Sequence, residues 1–270
     1  MSKITVEDVQ GWIDCNNENI VRSQKNLDSG FYERENVPIE SHYSGQGSSH
    51  SRVARCYAYL GDFAQAKASF RLAAENTAKP FFMIYDANDP DHHRIRPDYS
   101  EVSETNCMEA INYALCANDL AQARTIAKIW QNPGDGVLKH APINRFIHAL
   151  TYCLLDRSAD AVPLLQETLE WFQTRKPSKK LTWQLNFYTL SLALYGIAKQ
   201  DQTLFNDGLE LQLEFHKRYA RYGEIHDTPE ALVSDNCIAL ANLALLQGLN
   251  VTIKDPMIPE ALLHINQSSQ

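Results

Sequence analysis

The sequence predicts an all-α protein that folds as a single compact domain of about ten helices. Apolar residues recur every three or four positions along most of the 270 residues, whereas the alternation typical of a half-buried strand is nearly absent. The composition, with 44% hydrophobic and 21% charged residues, is that of an ordinary globular protein with a large core. Gly and Pro, at 11 residues each, are too few for a low-complexity chain.

The N-terminal part begins with a helix that Thr5 is placed to cap and whose apolar face extends to Ile20. Residues 28–50 are polar and rich in Gly and Ser, which predicts a loop with freedom to move. A second helix is expected to end at Leu60, because Gly61 and the following Asp form a tight turn.

This turn opens a stretch typical of the second half of a tetratricopeptide hairpin, Gly61-Asp62-Phe63-Ala64-Gln65-Ala66. Asp62 is placed to cap the helix, the alanines allow close helix approach, and Phe70 can fill the groove between the helices. Two later segments, Asn118–Ala123 and Asp156–Ala161, match this pattern more weakly. The equivalent alanines are Ala66, Ala123 and Ala161, which are 57 and 38 residues apart. Because a regular array would repeat near ~34 residues, the sequence favours irregular stacked antiparallel hairpins that are only partly tetratricopeptide-like.

The remaining helices are predicted from the same apolar spacing, approximately at Ser103–Ala117, Leu120–Gln131, Pro142–Leu155, Asp160–Thr174, Lys180–Lys199, Gln202–Tyr222 and Pro229–Gln247. Pro80 is expected to end the helix that begins at Phe63, because proline lacks the N–H that a helix interior needs. Pro163 falls in the first turn of its predicted helix, where a missing N–H is harmless.

Residues 249–270 are predicted to form an irregular C-terminal tail. Gly248 supplies a left-handed turn after the last helix, and Pro256 and Pro259 disfavour another helix. Apolar residues on both sides of these prolines predict that the tail docks back on the core.

The net charge of −8 comes from two segments, residues 85–104 and 222–237. The first holds two bases and six acids, a net charge of 2 − 6 = −4, and its acids are Asp86, Asp89, Asp91, Asp98, Glu101 and Glu104. The second holds no base and four acids, again −4, and these are Glu224, Asp227, Glu230 and Asp235. Acids often serve as helix caps, so solvated loops are one interpretation. The other interpretation is that the two segments meet in one acidic face that binds a basic protein partner. All of these acids except Asp235 are then expected to contact the partner.

No motif in the sequence predicts catalytic residues, a cofactor or a metal site. His92-His93 is a weak metal signal, His226-Asp227 lacks a nucleophile motif, and Gly45 to Ser49 lacks the Lys of a phosphate loop. A solvated loop, a helix cap and a flexible loop are the favoured interpretations. The basic cluster at 175–180 is too short to be a nucleic-acid site, and we expect neither nucleic acid nor membrane as a partner. Phe81-Phe82 could anchor an interface if exposed, but burial is favoured.

The expected location is the cytoplasm. The first residues, Met1 to Asp8, lack the cationic and apolar regions of a signal peptide, and no apolar run reaches the ~18 residues of a membrane span. The six cysteines contain no Cys-x-x-Cys pair and are predicted to be free, buried thiols.

Two stretches of the chain together resemble the immunity-49 family of bacterial polymorphic toxin systems. They are the hairpin from Leu60 to Ala66 and the C-terminal sequence Gly248-Leu249-Asn250-Val251 followed by Pro259-Glu260-Ala261-Leu262-Leu263. The family also has an Asp-x-Pro element between these last two motifs, where this chain has Asp255 directly before Pro256.

This resemblance implies an immunity protein that binds and neutralises a cognate toxin, secreted or delivered by contact, in bacterial competition. It implies no catalytic residues. A nuclease or an ADP-ribosyltransferase toxin is expected, because their substrate sites are often basic and an acidic face could occlude them. Two alternatives stay open: a helical-repeat scaffold or regulator that binds a peptide or protein in a groove, and a helical enzyme with convergent titratable residues. The oligomeric state is unknown at this point.

Overall fold

The computed structural model of the protein describes residues 4–92, 94, 103–130, 141–174 and 181–263. In these ranges the chain forms eleven α-helices and no strand, which confirms the predicted all-α class. Residues 1–133 and 134–270 make two compact units, and the expectation of one continuous domain stays a prediction. None of the helices in the described ranges is both long and apolar enough to cross a membrane.

Six helices lie in the first unit: α1 (Val6–Asp28), α2 (Phe31–Arg34), α3 (Glu40–Leu60), α4 (Phe63–Tyr85), α5 (Glu104–Cys116) and α6 (Leu120–Trp130). Thr5 caps α1 as predicted, since its hydroxyl accepts the Asp8 N–H while the Asp8 carboxylate accepts the Thr5 N–H at 2.9 Å. Helix α3 packs on both α1 and α4, and α5 packs on α4.

The predicted hairpin of α3 and α4 is confirmed. Gly61 has a φ of 83°, a conformation that favours glycine, and the Asp62 carboxylate accepts the Gln65 N–H at 3.1 Å. Ala66 and Phe70 are fully buried, so the small and large side chains take the places that their pattern predicts.

The prediction of a loop at residues 28–50 is wrong, because α3 begins at Glu40 and α2 precedes it. Polar side chains of α3 are buried by pairing with α1: Ser23 Oγ lies 2.8 Å from His42 Nδ1, and Gln46 Nε2 donates to the Ile20 carbonyl at 3.0 Å. A Cβ atom at Gly47 would overlap Thr77 of α4. Hydrogen bonds and close approach of the backbones thus hold this helix in place. The spacing of apolar residues predicts neither kind of contact.

The prediction that Pro80 ends its helix is also wrong, because α4 continues to Tyr85. Phe81 and Met83 beyond the proline are fully buried, and the Phe81 ring lies 5.6 Å from that of Trp130. Packing of this last turn outweighs the lost backbone hydrogen bond. The burial expected for Phe81 is confirmed, whereas Phe82 is partly exposed.

Five α-helices lie in the described part of the second unit: α7 (Pro142–Leu154), α8 (Ser158–Thr174), α9 (Trp183–Lys199), α10 (Gln202–Tyr222) and α11 (Asp235–Leu246). Pro163 lies inside α8, which starts earlier than predicted, and the helix predicted to begin at Pro229 is a 3₁₀ turn, Pro229–Ala231, followed by α11. Added Cβ atoms at Gly196 or Gly208 would overlap backbone of the partner helix, so α9 and α10 are in close contact.

The C-terminal tail is irregular up to residue 263 and docks on α11, as predicted. Gly248 has a φ of 84°, and Ile258 and Leu262 are buried. Asn242 of α11 donates its side-chain amide to the Leu262 carbonyl at 3.0 Å. The tail is therefore fixed by packing and hydrogen bonds together.

Candidate partner-binding surface

The first acidic segment is partly described. Asp98 and Glu101 lie outside the described residues. Asp86, Asp89 and Asp91 lie in the loop after α4, and Glu104 is the first residue of α5, which Ser103 caps.

Lys79 of α4 lies between two of these acids. Its Nζ is 2.7 Å from Asp89 Oδ1 and 3.1 Å from Asp91 Oδ2, and the three side chains are 20%, 9% and 18% exposed. Burial alone would lower the pKa of Lys79, but the bonds to both aspartates outweigh it and raise the pKa above its ordinary value. Two carboxylates of the acidic segment are thus paired with a lysine of the same unit.

Arg94 fastens the same loop to α2. One guanidinium nitrogen donates to Asp91 at 2.9 Å, and another pairs with Glu33. The Tyr43 hydroxyl of α3 also donates to Asp91, at 3.3 Å. Burial would raise the pKa of Asp91, but hydrogen bonds from Arg94 and Lys79 hold it below its usual value. The loop is therefore a folded, ion-paired element.

Part of the negative charge of this loop is matched by cations of the same unit. Asp89 pairs with Lys79, and Asp91 pairs with both Lys79 and Arg94, whereas Asp86 accepts hydrogen bonds from Asn88. The binding role predicted for Asp89 and Asp91 stays a prediction, but their charge is matched inside the unit. The charge count did not reveal this, because Lys79 lies outside the segment of residues 85–104 that was counted.

The second acidic segment is more open to solvent. Glu224 is exposed and accepts a hydrogen bond from the Tyr219 hydroxyl at 3.3 Å. Asp227 is exposed, with a φ of 56°, and its Oδ2 lies 3.1 Å from His226 Nδ1. Glu230 lies in the 3₁₀ turn and is partly exposed. The two acidic segments belong to different units, so their expected union in one face stays a prediction.

A cleft of about 320 Å³ lies where α2 leads into α3. Its lining residues are Tyr32, Glu33, Asn36, Val37, Pro38, Ile39, Glu40 and Arg94. Sequence reasoning missed this cleft because residues 28–50 were interpreted as a loop. A usable signal was present in Pro38 followed closely by Glu40, since proline and acids are common where helices start.

The other candidate sites gain no support among the described residues. Gly45 and Gly47 lie inside α3, so the phosphate-loop interpretation is excluded. His93 and the basic cluster at 175–180 lie outside the described residues, and within the described ones no group of three His, Cys, Asp or Glu could hold a metal. Burial raises the pKa of the Cys153 and Cys237 thiols to about 12, which makes them poor nucleophiles.

The described residues form a helical protein in which five of the six free cysteines are buried. Cys15 on α1 is exposed, so the prediction that all six are buried is wrong at this position. Residues 48–262 match the family model of immunity protein 49. The match covers well over half of the chain, so the protein belongs to the immunity protein 49 family, and the resemblance seen in the sequence is confirmed. No curated protein and no solved structure matches the chain in the same comparisons. Family membership gives the protein an immunity role in general.

Proposed function

We propose that this protein binds a cognate toxin, secreted or delivered by contact, and neutralises it in the cytoplasm of the producing cell. The toxin is of the nuclease or ADP-ribosyltransferase type, and an acidic surface of the immunity protein occludes its active site. Membership in the immunity protein 49 family is the single observation that carries the proposal. The net charge of −8 supports the choice of a basic toxin surface.

The arrangement of the acids supports a division of labour between them. The ion pairs of Lys79 with Asp89 and Asp91 keep the first loop in one shape. Exposed acids, with Glu224 and Asp227 as the clearest cases, supply the attractive field. Such a field mainly raises the association rate of two proteins, and salt weakens it.

Co-expression with the toxin domain encoded beside this gene tests the proposal. We expect host survival and a complex that co-purifies. Survival without a complex would indicate that the protein reverses the damage enzymatically. Death of the host, with a toxin domain that is toxic on its own, would contradict the immunity proposal for this pair.

A helical scaffold that binds a peptide is a second candidate, which the tetratricopeptide-like packing of Ala66 and Phe70 favours. It predicts binding to an extended peptide in a groove. Immunity instead requires binding to the folded toxin, so the same co-expression separates the two.

A further inference from the structure

We infer that the cleft between α2 and α3 receives one basic side chain, an arginine or a lysine, of the toxin, and that Glu40 is the residue that recognises it. The inference deepens the proposed function and rests on it for the identity of the partner.

Glu40 is a shielded carboxylate that lines the cleft without a protein partner. It is the first residue of α3 and only 2% exposed. Among the described residues, its carboxylate has no hydrogen bond or ion pair. A shielded carboxylate without a donor is unfavourable, and a cation entering the cleft would supply the donor.

The neighbouring arginine does not fill this role. The Arg94 guanidinium is bound by Asp91 and by Glu33. Among the residues that the structure describes, the cleft walls therefore carry two carboxylates, Glu33 and Glu40, against one cation that a third carboxylate shares. This excess of negative charge selects a positively charged occupant.

The uncharged walls suit the stem of a long basic side chain. Tyr32, Val37, Pro38 and Ile39 supply aromatic and aliphatic surface, on which the methylene groups of lysine or arginine pack while the charged head reaches a carboxylate. The volume of about 320 Å³ lies at the small end of ligand sites. It fits one side chain better than a length of peptide.

The position of the cleft in the sequence fits a role in choosing the partner. The family match begins at residue 48, so every lining residue except Arg94 lies outside the matched region. The family match therefore does not constrain these residues, which is compatible with a role in choosing the toxin.

The test compares E40Q with E35Q. Glu35 is a neighbouring exposed acid that does not line the cleft, so E35Q removes the same charge from the same region. We expect E40Q to weaken binding to the toxin domain at least tenfold in isothermal titration calorimetry, with E35Q within about twofold of the wild type. We also expect the melting temperature of free E40Q to equal or exceed that of the wild type, because an unpaired shielded charge is removed.

A small probe makes the inference testable without the toxin. Argininamide at millimolar concentration should raise the melting temperature of the wild type and of E35Q, and norleucinamide should not. The shift should vanish in E40Q. Equal toxin affinities of E40Q and E35Q, or an argininamide shift that E40Q retains, would overturn the role of Glu40 and leave the immunity proposal intact. If the wild type binds no toxin, the proposed function fails and the argininamide comparison alone decides the inference.

Discussion

Replacing Lys79 with Met leaves the carboxylates of Asp89 and Asp91 without their shared cation. The side chains of these aspartates are only 9% and 18% exposed, so water cannot fully replace the ammonium group. Breaking a fully buried pair costs about 3–5 kcal/mol and an exposed one about 0–1 kcal/mol. Because Asp91 keeps Arg94, we expect K79M to lower the free energy of unfolding of its unit by about 2 kcal/mol.

Urea denaturation at neutral pH, followed by circular dichroism, measures this loss. The matched control is R71M, since Arg71 pairs with Asp119 at 3.0 Å but is 58% exposed. It should cost less than about 1 kcal/mol. The double variant K79M/D89N should be more stable than K79M, because it removes one of the stranded charges. A K79M variant as stable as R71M, or a double variant that is no better than K79M, would refute the assignment of Asp89 and Asp91 to an internal role.

Three further predictions concern the buried contacts. A Cβ at Gly47 would overlap Thr77, whereas one at Gly45 would meet open space. G47A should therefore lower the free energy of unfolding by about 1–3 kcal/mol, and G45A should raise it by about 0.5–1 kcal/mol. The opposite order in urea denaturation would contradict a helix over residues 40–60. Burial lowers the pKa of His42 below its ordinary value of 6.5, so the folded state resists protonation. The contribution of His42 to stability is therefore full above pH 6.5 and is lost as the pH falls through the lowered pKa. H42Q should flatten the pH dependence of the melting temperature below pH 6.5, and His50, whose pKa burial also lowers, should leave a remaining slope. Gln212 is 1% exposed, accepts a hydrogen bond from Thr189 and donates one to Asn186 at 3.0 Å. Q212L should lower the free energy of unfolding by about 1–3 kcal/mol, because it leaves buried polar partners without a hydrogen bond. A melting temperature of Q212L within about 1 °C of the wild type would count against this network.

The elements that the sequence predicted well are held by contacts between near neighbours. The hairpin turn at Gly61 and the cap at Asp62 both depend on residues within one short stretch. Local chemistry fixes such features, so a periodic pattern and a turn signal are sufficient to find them.

The elements that the sequence missed depend on partners far along the chain. Helix α3 can bury its polar side chains because His42 bonds to Ser23 and Gln46 bonds to the carbonyl of Ile20. The partners in these two pairs are 19 and 26 residues apart in the sequence. The continuation of α4 past Pro80 depends on packing of Phe81 against Trp130. Tertiary contacts of this kind override local propensity, and one sequence does not display them.

The same limit applies to the candidate site. Charge counting found the acidic segments, because net charge is a property of the sequence alone. It could not separate Asp89, which is paired with Lys79, from Glu224, which is exposed. It also passed over Glu40, which folding places in the cleft between α2 and α3.

The most direct test of the central claim is a titration of purified toxin activity with the purified protein. An inhibitor that acts by binding should abolish activity at one equivalent, at once, with a complex that size-exclusion chromatography isolates. Neutralising the exposed acids in E224Q/D227N should slow association and weaken its dependence on salt. Restoration of the toxin's damaged substrate at far less than one equivalent, with no complex, would show catalysis instead of binding and would contradict the account.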